Sequence, residues 1–222
     1  FFGGSSFASS PFGDPGGVSV FVVPTGQGLE VATEGQGILF SAFNDAQLST
    51  AQKKFGTASL LLDGTNDYVE STSNINLSST NFTVDLWIRP TSVSGYKGLW
   101  ETGTSTKLSA YLLGSTVYWV VGGSTIISNS VTVNANECTM LSFEREGSNH
   151  RIYKNGTLDD TGFTGNRPDD GPFNVGENTF GDFNGYIDEV RVSDIARYTG
   201  TSFTEPTNPF VADTSTLVLL HF

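Results

Sequence analysis

Residues 82–90 read FTVDLWIRP, and apolar side chains occupy every second position of this stretch. One face of the segment carries Phe82, Val84, Leu86 and Ile88. The other face carries Thr83, Asp85, Trp87 and Arg89. Because successive side chains of a β-strand point to opposite faces, this period of two predicts an antiparallel strand with one buried face.

Segments of similar pattern lie on both sides of this strand, from about residue 46 to the last residue. Turn residues separate them, and Asn155-Gly156 is a strong hairpin signal because both residues tolerate positive φ. Strands that recur about every 8–12 residues, with no helices between them, are typical of sandwiches and barrels. We therefore expect an all-β protein whose one helix is a short one at residues 194–200, capped by Asp194.

The composition excludes several classes of partner. The chain of 222 residues has a net charge of −12, and its few Lys and Arg residues form no cluster. Nucleic acid would be repelled, so we expect no nucleic-acid partner. No segment has the length and apolar character of a transmembrane helix, so we expect no membrane insertion.

The first 46 residues differ in character from the rest. We expect residues 1–46 to form an N-terminal extended arm with short strands, followed by a sandwich over residues 47–222. Residues 1–17 read FFGGSSFASSPFGDPGG, which has no periodic face to bury. The phenylalanines of this tract are expected to be assembly anchors that dock on another subunit: Phe1, Phe2, Phe7 and Phe12. The alternatives are that they pack on the chain's own sandwich, or that the tract is only a linker.

Several longer motifs follow one another in a recognisable order. They are KFGTASLLLDGTNDYVE (54–70), NFTVDLWIRP (81–90), HRIYKNG (150–156), FNGYIDEVRVSDIARYTG (183–200), FTEPTNPF (203–210) and TLVLLHF (216–222). Together they resemble the laminin-G-like jelly-roll family of the concanavalin A-like lectin/glucanase superfamily. The resemblance implies a two-sheet antiparallel jelly-roll sandwich. The spelling of the motifs is similar to that of copies in bacteriophage tail-fibre and other virion proteins.

The resemblance also implies a function. It indicates a non-enzymatic structural or binding protein on a virion surface, an extracellular location, other virion subunits as partners, a homo-oligomer, and contact with cell-surface glycans. A bacterial cell-surface lectin or adhesin is the alternative, and a glycoside hydrolase is a third. A virion component would bury the N-terminal arm against another chain, whereas an adhesin would leave it as a flexible linker.

The carboxylates of the strands argue against the hydrolase. Glycosidases hold two carboxylates on either side of the scissile bond, and in retaining enzymes these lie about 5 Å apart. Glu144 and Glu146 share a strand face, but no third carboxylate extends the pattern. Asp188 and Glu189 are adjacent and point to opposite faces. We therefore expect no catalytic residues and no enzyme activity.

A turn at residues 62–68, LDGTNDY, offers oxygen ligands of the kind that calcium prefers. The family resemblance implies a calcium site formed by Asp63, Asp67 and Asp188. The alternative is a turn in which Asp63 and Asp67 accept hydrogen bonds from their own backbone. Calcium is the one cofactor that the sequence suggests.

Aromatic residues are the candidates for carbohydrate contact, which needs exposed rings beside polar groups. The candidates are Tyr96, Trp100, Tyr118 and Trp119. Because Tyr118 and Trp119 are neighbours in a predicted strand, one of them faces out if the other faces the core. The alternative is that most of these rings fill the space between the sheets.

Overall fold

The computed structural model describes residues 30–32, 38–77, 81–122, 124–163 and 170–222. Within these ranges it contains strands and no helix. The strands are β1 (Glu30–Ala32), β2 (Leu39–Phe43), β3 (Gln47–Ser49), β4 (Ser59–Asp63), β5 (Tyr68–Ser71), β6 (Asn81–Pro90), β7 (Tyr96–Thr102), β8 (Leu108–Leu113), β9 (Thr116–Val121), β10 (Ser124–Thr132), β11 (Thr139–Glu146), β12 (Asn149–Lys154), β13 (Thr157–Phe163), β14 (Asn174–Val175), β15 (Glu177–Asn178), β16 (Gly181–Asp182), β17 (Asn184–Ser193) and β18 (Thr216–Leu220).

The strands form two large sheets and one small hairpin. The first sheet has the order β1-β2-β5-β14-β7-β8-β9-β10, and the second has the order β13-β12-β11-β6-β17-β4-β3, with β18 beside β17. Every pairing in them is antiparallel, and β15 and β16 pair with each other. The prediction of an all-β two-sheet sandwich is confirmed.

The core lies between the two sheets. The strand β6 contributes the apolar face predicted from its alternation, and all four side chains of that face are buried: Phe82, Val84, Leu86 and Ile88. Across from them, Trp100 of β7 and Trp119 of β9 meet Phe143 of β11 edge-on, at ring-centroid distances of 5.4 and 5.6 Å. These three rings belong to different sheets, so their packing holds the sheets face to face.

The outer face of the second sheet is covered by the chain itself. Residues 194–212 run across it without forming a strand. They bring Phe203 and Phe210 onto a second apolar cluster that contains Trp87 and Met140. Tyr198 stacks on Phe203 at a centroid distance of 3.6 Å. This part of the outer face is therefore covered by the chain's own side chains.

The helix expected at residues 194–200 does not form. Side chains of the second sheet take the backbone groups that a helix would pair internally. The Thr83 hydroxyl donates to the carbonyl of Ile195 (2.8 Å) and accepts from the N–H of Arg197 (3.0 Å). The N–H of Tyr198 donates to the carboxylate of Glu144. Tertiary hydrogen bonds thus replace the local ones, and the helix prediction was wrong.

A buried ion pair lies under this covering segment. Arg191 donates two hydrogen bonds to one carboxylate oxygen of Asp85, from Nε at 3.0 Å and from Nη2 at 2.7 Å. The Asp85 side chain is fully buried. Arg191 also donates to the hydroxyl of Tyr198 (3.0 Å), and its guanidinium lies 4.0 Å from the ring centre of Phe210. The pair therefore ties strands β6 and β17 to the segment that covers them.

The sandwich begins before the expected boundary at residue 47. Strand β2 pairs with β5 in the first sheet, and Phe40 of β2 is fully buried in the core. Residues 38–43 thus supply a sandwich strand, so the arm assigned to residues 1–46 is too long at its C-terminal end. The proposed assembly anchors lie outside the described residues: Phe1, Phe2, Phe7 and Phe12.

Replacing Asp85 with alanine leaves the guanidinium of Arg191 buried without its carboxylate. We expect the free energy of unfolding to fall by about 3–5 kcal/mol in this variant. Glu205→Ala is the matched control, because the side chains of Glu205 and its partner Lys54 are 36% and 26% exposed. Such surface pairs contribute about 0–1 kcal/mol. Urea denaturation measures both losses, and equal losses would contradict a special role for the buried pair.

Candidate functional site

The outer face of the first sheet carries a row of polar side chains. Glu70 of β5, Asn174 of β14 and Glu101 of β7 lie side by side in register. Their neighbours along the strands, Val69 and Trp100, are fully buried in the core. Because the side chains of a strand alternate, the burial of those neighbours directs the polar row outward.

The β15–β16 hairpin lies on this outer face, across β7 and β8. Gly98 makes the close approach possible, since a Cβ atom at this position would lie 2.3 Å from the carbonyl oxygen of Gly181. The Asn178 side chain donates a hydrogen bond of 2.9 Å to the carbonyl of Ala110. The hairpin is thus fixed on the sheet by a tight backbone contact and a buried side-chain amide.

A cavity of about 290 Å³ opens between the hairpin and the polar row. We call it the outer-face cavity. The side chains that line it include Tyr68, Glu70, Glu101, Lys107, Asn174, Glu177 and Thr179. Lys107 lies 2.5 Å from one oxygen of Glu101, and the backbone N–H of Thr179 donates to the other at 3.0 Å. Glu101 therefore has its full set of partners within the protein.

The remaining carboxylates of the cavity are less well compensated. Burial raises the pKa of Glu70, although Lys107 and Asn174 oppose this change. Burial also raises the pKa of Glu177, and the negative charges of Asp182, Glu101 and Glu70 add to the rise. These groups repel one another, so the outer-face cavity favours hydrogen-bond donors and positive charge.

Aromatic rings lie on the same outer face, at the other side of the hairpin. We call this group the aromatic platform; it consists of Tyr96, Tyr111, Tyr118 and Phe180. Tyr111 is parallel to Tyr118 at a centroid distance of 5.1 Å, and it contacts Phe180 at 4.4 Å. Tyr96 is 46% exposed. The platform adjoins the cavity at the hairpin turn, because Thr179 lines the cavity and Phe180 belongs to the platform.

The four predicted carbohydrate contacts divide into two pairs. Tyr96 and Tyr118 both belong to the aromatic platform, where both retain exposed surface. Trp100 and Trp119 are fully buried in the core and do not reach the surface, which corrects that part of the prediction. The alternation inferred for Tyr118 and Trp119 is present, with the tyrosine outside and the tryptophan inside.

The sequence analysis missed Tyr111, Phe180 and the carboxylates of the cavity. One usable signal existed for Tyr111, which shares the outward face of β8 with Ser109. Glu70, Glu101 and Glu177 are far apart in sequence, and only the pairing of β14 between β5 and β7 brings them together. No local pattern marks such a site.

The turn predicted to bind calcium uses one carboxylate for its own backbone. Asp67 is 1% exposed. Its oxygens accept hydrogen bonds from the N–H of Asp45 at 2.7 Å and from the N–H of Asp63 at 2.8 Å. Burial raises the pKa of Asp67, and these bonds oppose the rise. The Asp63 side chain is exposed.

The structure does not bring Asp188 to this turn. Asp63 pairs with Asn184 of β17, and Asp188 lies four residues further along that strand, about 13 Å away at the usual rise per residue. Its carboxylate accepts hydrogen bonds from the N–H groups of Lys54 (2.8 Å), Phe55 (3.2 Å) and Glu189 (2.9 Å). Burial raises the pKa of Asp188 to about 6. Among the described residues, no group of three or more His, Cys, Asp or Glu side chains is placed to hold a metal ion.

The carboxylates considered for catalysis belong to an ion-pair network. Arg151 binds Glu144 at 3.0 Å and Glu146 at 2.8 Å. The Glu144 side chain is fully buried, which raises its pKa, and it also anchors the N–H of Tyr198. This pair therefore holds the second sheet and its covering segment together.

In the described ranges no helix is long and apolar enough to span a membrane.

Comparison with solved structures finds the same fold in several carbohydrate-related and toxin proteins. Domain 4 of AbnA, a GH43 extracellular arabinanase from Geobacillus stearothermophilus in complex with arabinotriose, matches with a TM-score of 0.58 and 19% identity, over 69% of this chain and 78% of that chain. The CBM40 of the Ruminococcus gnavus IT-sialidase, bound to α2,3 sialyllactose, matches with a TM-score of 0.51 and 12% identity, over 63% of this chain and 91% of that chain.

The binding domain of botulinum neurotoxin serotype C1 matches with a TM-score of 0.60 and 16% identity, over 77% of this chain and 47% of that chain. This chain thus spans about half the length of that binding domain. Among curated proteins no sequence matches this chain. A family model, Laminin_G_3 of the concanavalin A-like lectin/glucanases superfamily, matches residues 63–199, more than half of the chain. This protein therefore belongs to the Laminin_G_3 family of the concanavalin A-like lectin/glucanases superfamily.

Proposed function

We propose that this chain is a non-enzymatic glycan-binding module that uses the outer face of its first sheet. The observation that carries the proposal is the aromatic platform beside the polar outer-face cavity. Residues 194–212 cover the part of the outer face of the second sheet that carries Trp87 and Met140, so less of that face is open to a ligand. Ligand sites combine apolar rings with a few placed polar groups, and this is the combination found here.

The rings and the polar groups would act on different parts of a sugar. The apolar C–H face of a sugar ring can lie on an aromatic side chain, and its hydroxyls can donate to carboxylates and side-chain amides. Domain 4 of AbnA and the CBM40 domain have the same fold and were solved with arabinotriose and α2,3 sialyllactose. Those complexes support carbohydrate binding as a use of this fold, while the platform argues for it in this chain.

The non-enzymatic part of the proposal rests on the carboxylates. Glu144 and Glu146 are the alternating pair that a hydrolase would need, and Arg151 binds both of them. Glu144 also lies beneath the covering segment, away from solvent. A buried carboxylate with these partners supports a structural role for the pair.

Truncating the platform is expected to weaken glycan binding. A glycan array first identifies a ligand, and isothermal titration calorimetry then measures its Kd. We expect Tyr96→Ala and Tyr118→Ala each to raise the Kd about tenfold, or about 1.4 kcal/mol, because each removes apolar contact area.

Tyr186→Ala is the matched control, since Tyr186 lies on β17 of the second sheet and is also partly exposed. It should leave the Kd unchanged. If the double variant of Tyr96 and Tyr118 keeps the wild-type array profile, the platform is not the binding surface.

We propose further that the module works on a virion surface, as part of a bacteriophage fibre or decoration protein. The support is the order and spelling of its motifs, which resemble those of tail-fibre proteins, and the phenylalanine-containing N-terminal tract. Burial of one phenylalanine contributes about 1.5–3 kcal/mol, enough for several of them to anchor an arm on a neighbouring subunit. A bacterial adhesin would carry the same module on a free linker.

Deletion of residues 1–17 distinguishes a virion protein from a bacterial adhesin. We expect the truncated chain to keep its melting temperature and glycan binding but to lose self-association or attachment to the particle, because the anchors are gone. Sedimentation velocity measures self-association, and calorimetry measures the melting temperature and glycan binding. Unfolding of the truncated chain would show that the arm packs on its own sandwich, and unchanged assembly would reduce the arm to a linker.

Calcium binding by Asp63 and Asp67 stays a prediction. Only the folded chain presents the turn, so calcium at one hundred times its Kd should add about 2.7 kcal/mol to the free energy of unfolding and raise the Tm. Asp63→Ala should remove this response, because it deletes the exposed carboxylate of the turn. Asp194→Ala, which deletes an exposed carboxylate at the far end of β17, should keep it. A Tm that changes with neither calcium nor chelator would exclude the calcium site.

A further inference from the structure

The outer-face cavity contains more negative charge than its own cation can compensate. Lys107 is the one cation among its lining residues, and it pairs with Glu101 at 2.5 Å. Within the described residues, neither Glu70 nor Glu177 forms an ion pair. The cavity therefore holds two carboxylates without an ion pair of their own, and they share the charge of Lys107 with Glu101.

The shape of the cavity points to a small ligand independently of its charge. Its volume of about 290 Å³ is close to the lower limit of ligand sites, which usually measure about 300–1,000 Å³. Tyr68 forms an aromatic wall that is fixed by stacking on Phe43, at a centroid distance of 4.4 Å. The hairpin and the strand β14 close the other sides.

The carboxylates and the aromatic wall meet in one place. The charges of Glu70 and Glu177 both raise the pKa of the Tyr68 hydroxyl, after the larger effect of its burial. Glu70, Glu177 and Tyr68 thus line one cavity, and both carboxylates lie close enough to act on the tyrosine hydroxyl. A cation in this cavity would be attracted by both carboxylates at once.

We propose that the outer-face cavity binds a protonated amino sugar, with Glu70 and Glu177 accepting hydrogen bonds from its ammonium group and Tyr68 forming the wall beside the ring. This inference rests on the proposed function and names its ligand class. The ammonium relieves the mutual repulsion of the two carboxylates, which a neutral sugar cannot do. Sugars that carry a carboxylate or sulfate are rejected, because they add negative charge to the cavity.

The test uses two trisaccharides with the same backbone: a glucosamine trisaccharide and its fully N-acetylated form, in which neutral amides replace the charged amines. Isothermal titration calorimetry gives both Kd values, measured in one buffer at a pH at which the amines are protonated and the glutamates are ionised. We expect the wild-type chain to bind the free amine at least about tenfold more tightly. The double variant Glu70→Gln, Glu177→Gln should bring the ratio of the two Kd values to within about twofold of unity.

A matched control separates the cavity from the overall negative charge of −12, which would attract any cation. Glu137→Gln with Glu205→Gln removes the same two charges at positions outside the cavity. This control should keep the wild-type preference. If both double variants lose the preference equally, the attraction is nonspecific and the inference fails.

The remaining outcomes also decide the proposal. Equal Kd values for the two trisaccharides in the wild-type chain overturn the amino-sugar assignment while leaving glycan binding intact. Loss of binding to both trisaccharides in the Gln variant would show a merely structural role for the carboxylates. No binding of either trisaccharide also overturns the assignment, and the glycan array then decides the proposed function separately.

Discussion

The ion pair between Asp85 and Arg191 determines which surface of this sandwich is free. Arg191 fixes Asp85 of β6 on one side and the hydroxyl of Tyr198 on the other, so the second sheet and the segment at residues 194–212 are bound together. Removing two charges from water is costly, and the hydrogen bonds and the contact with Phe210 offset that cost. The part of the second sheet that carries Trp87 and Met140 is thereby buried between the core and the covering segment.

In the described part of the chain, less of the outer face of the first sheet is covered. Its inner face carries Trp100 and Trp119 into the core, and its outer face supports the short β15–β16 hairpin. The hairpin leaves the polar row partly uncovered and lifts Phe180 into contact with Tyr111. An asymmetry in packing between the two sheets thus becomes an asymmetry in function, because binding groups need solvent access and core groups need exclusion from it.

Local sequence patterns were sufficient for the fold and for part of the site. Alternation in FTVDLWIRP predicted the buried face of β6, and the neighbouring pair Tyr118 and Trp119 had to divide between outside and inside. Alternation alone could not assign Trp100, since it does not say which face of a strand meets the core. The helix expected at residues 194–200 failed because Thr83 and Glu144, distant in sequence, bind its backbone groups. The sequence could not predict the outer-face cavity for the same reason, since its carboxylates come from separate strands.

The contact between the outer-face cavity and the aromatic platform has a consequence for avidity. Thr179 and Phe180 are neighbours in the chain, so the two surfaces meet within one residue of the hairpin turn. A branched or linear glycan that occupies both surfaces experiences the second at a high effective concentration once the first is bound. If both surfaces bind one glycan, as proposed, the linkage geometry between its sugar units contributes to ligand selection together with the identity of each unit.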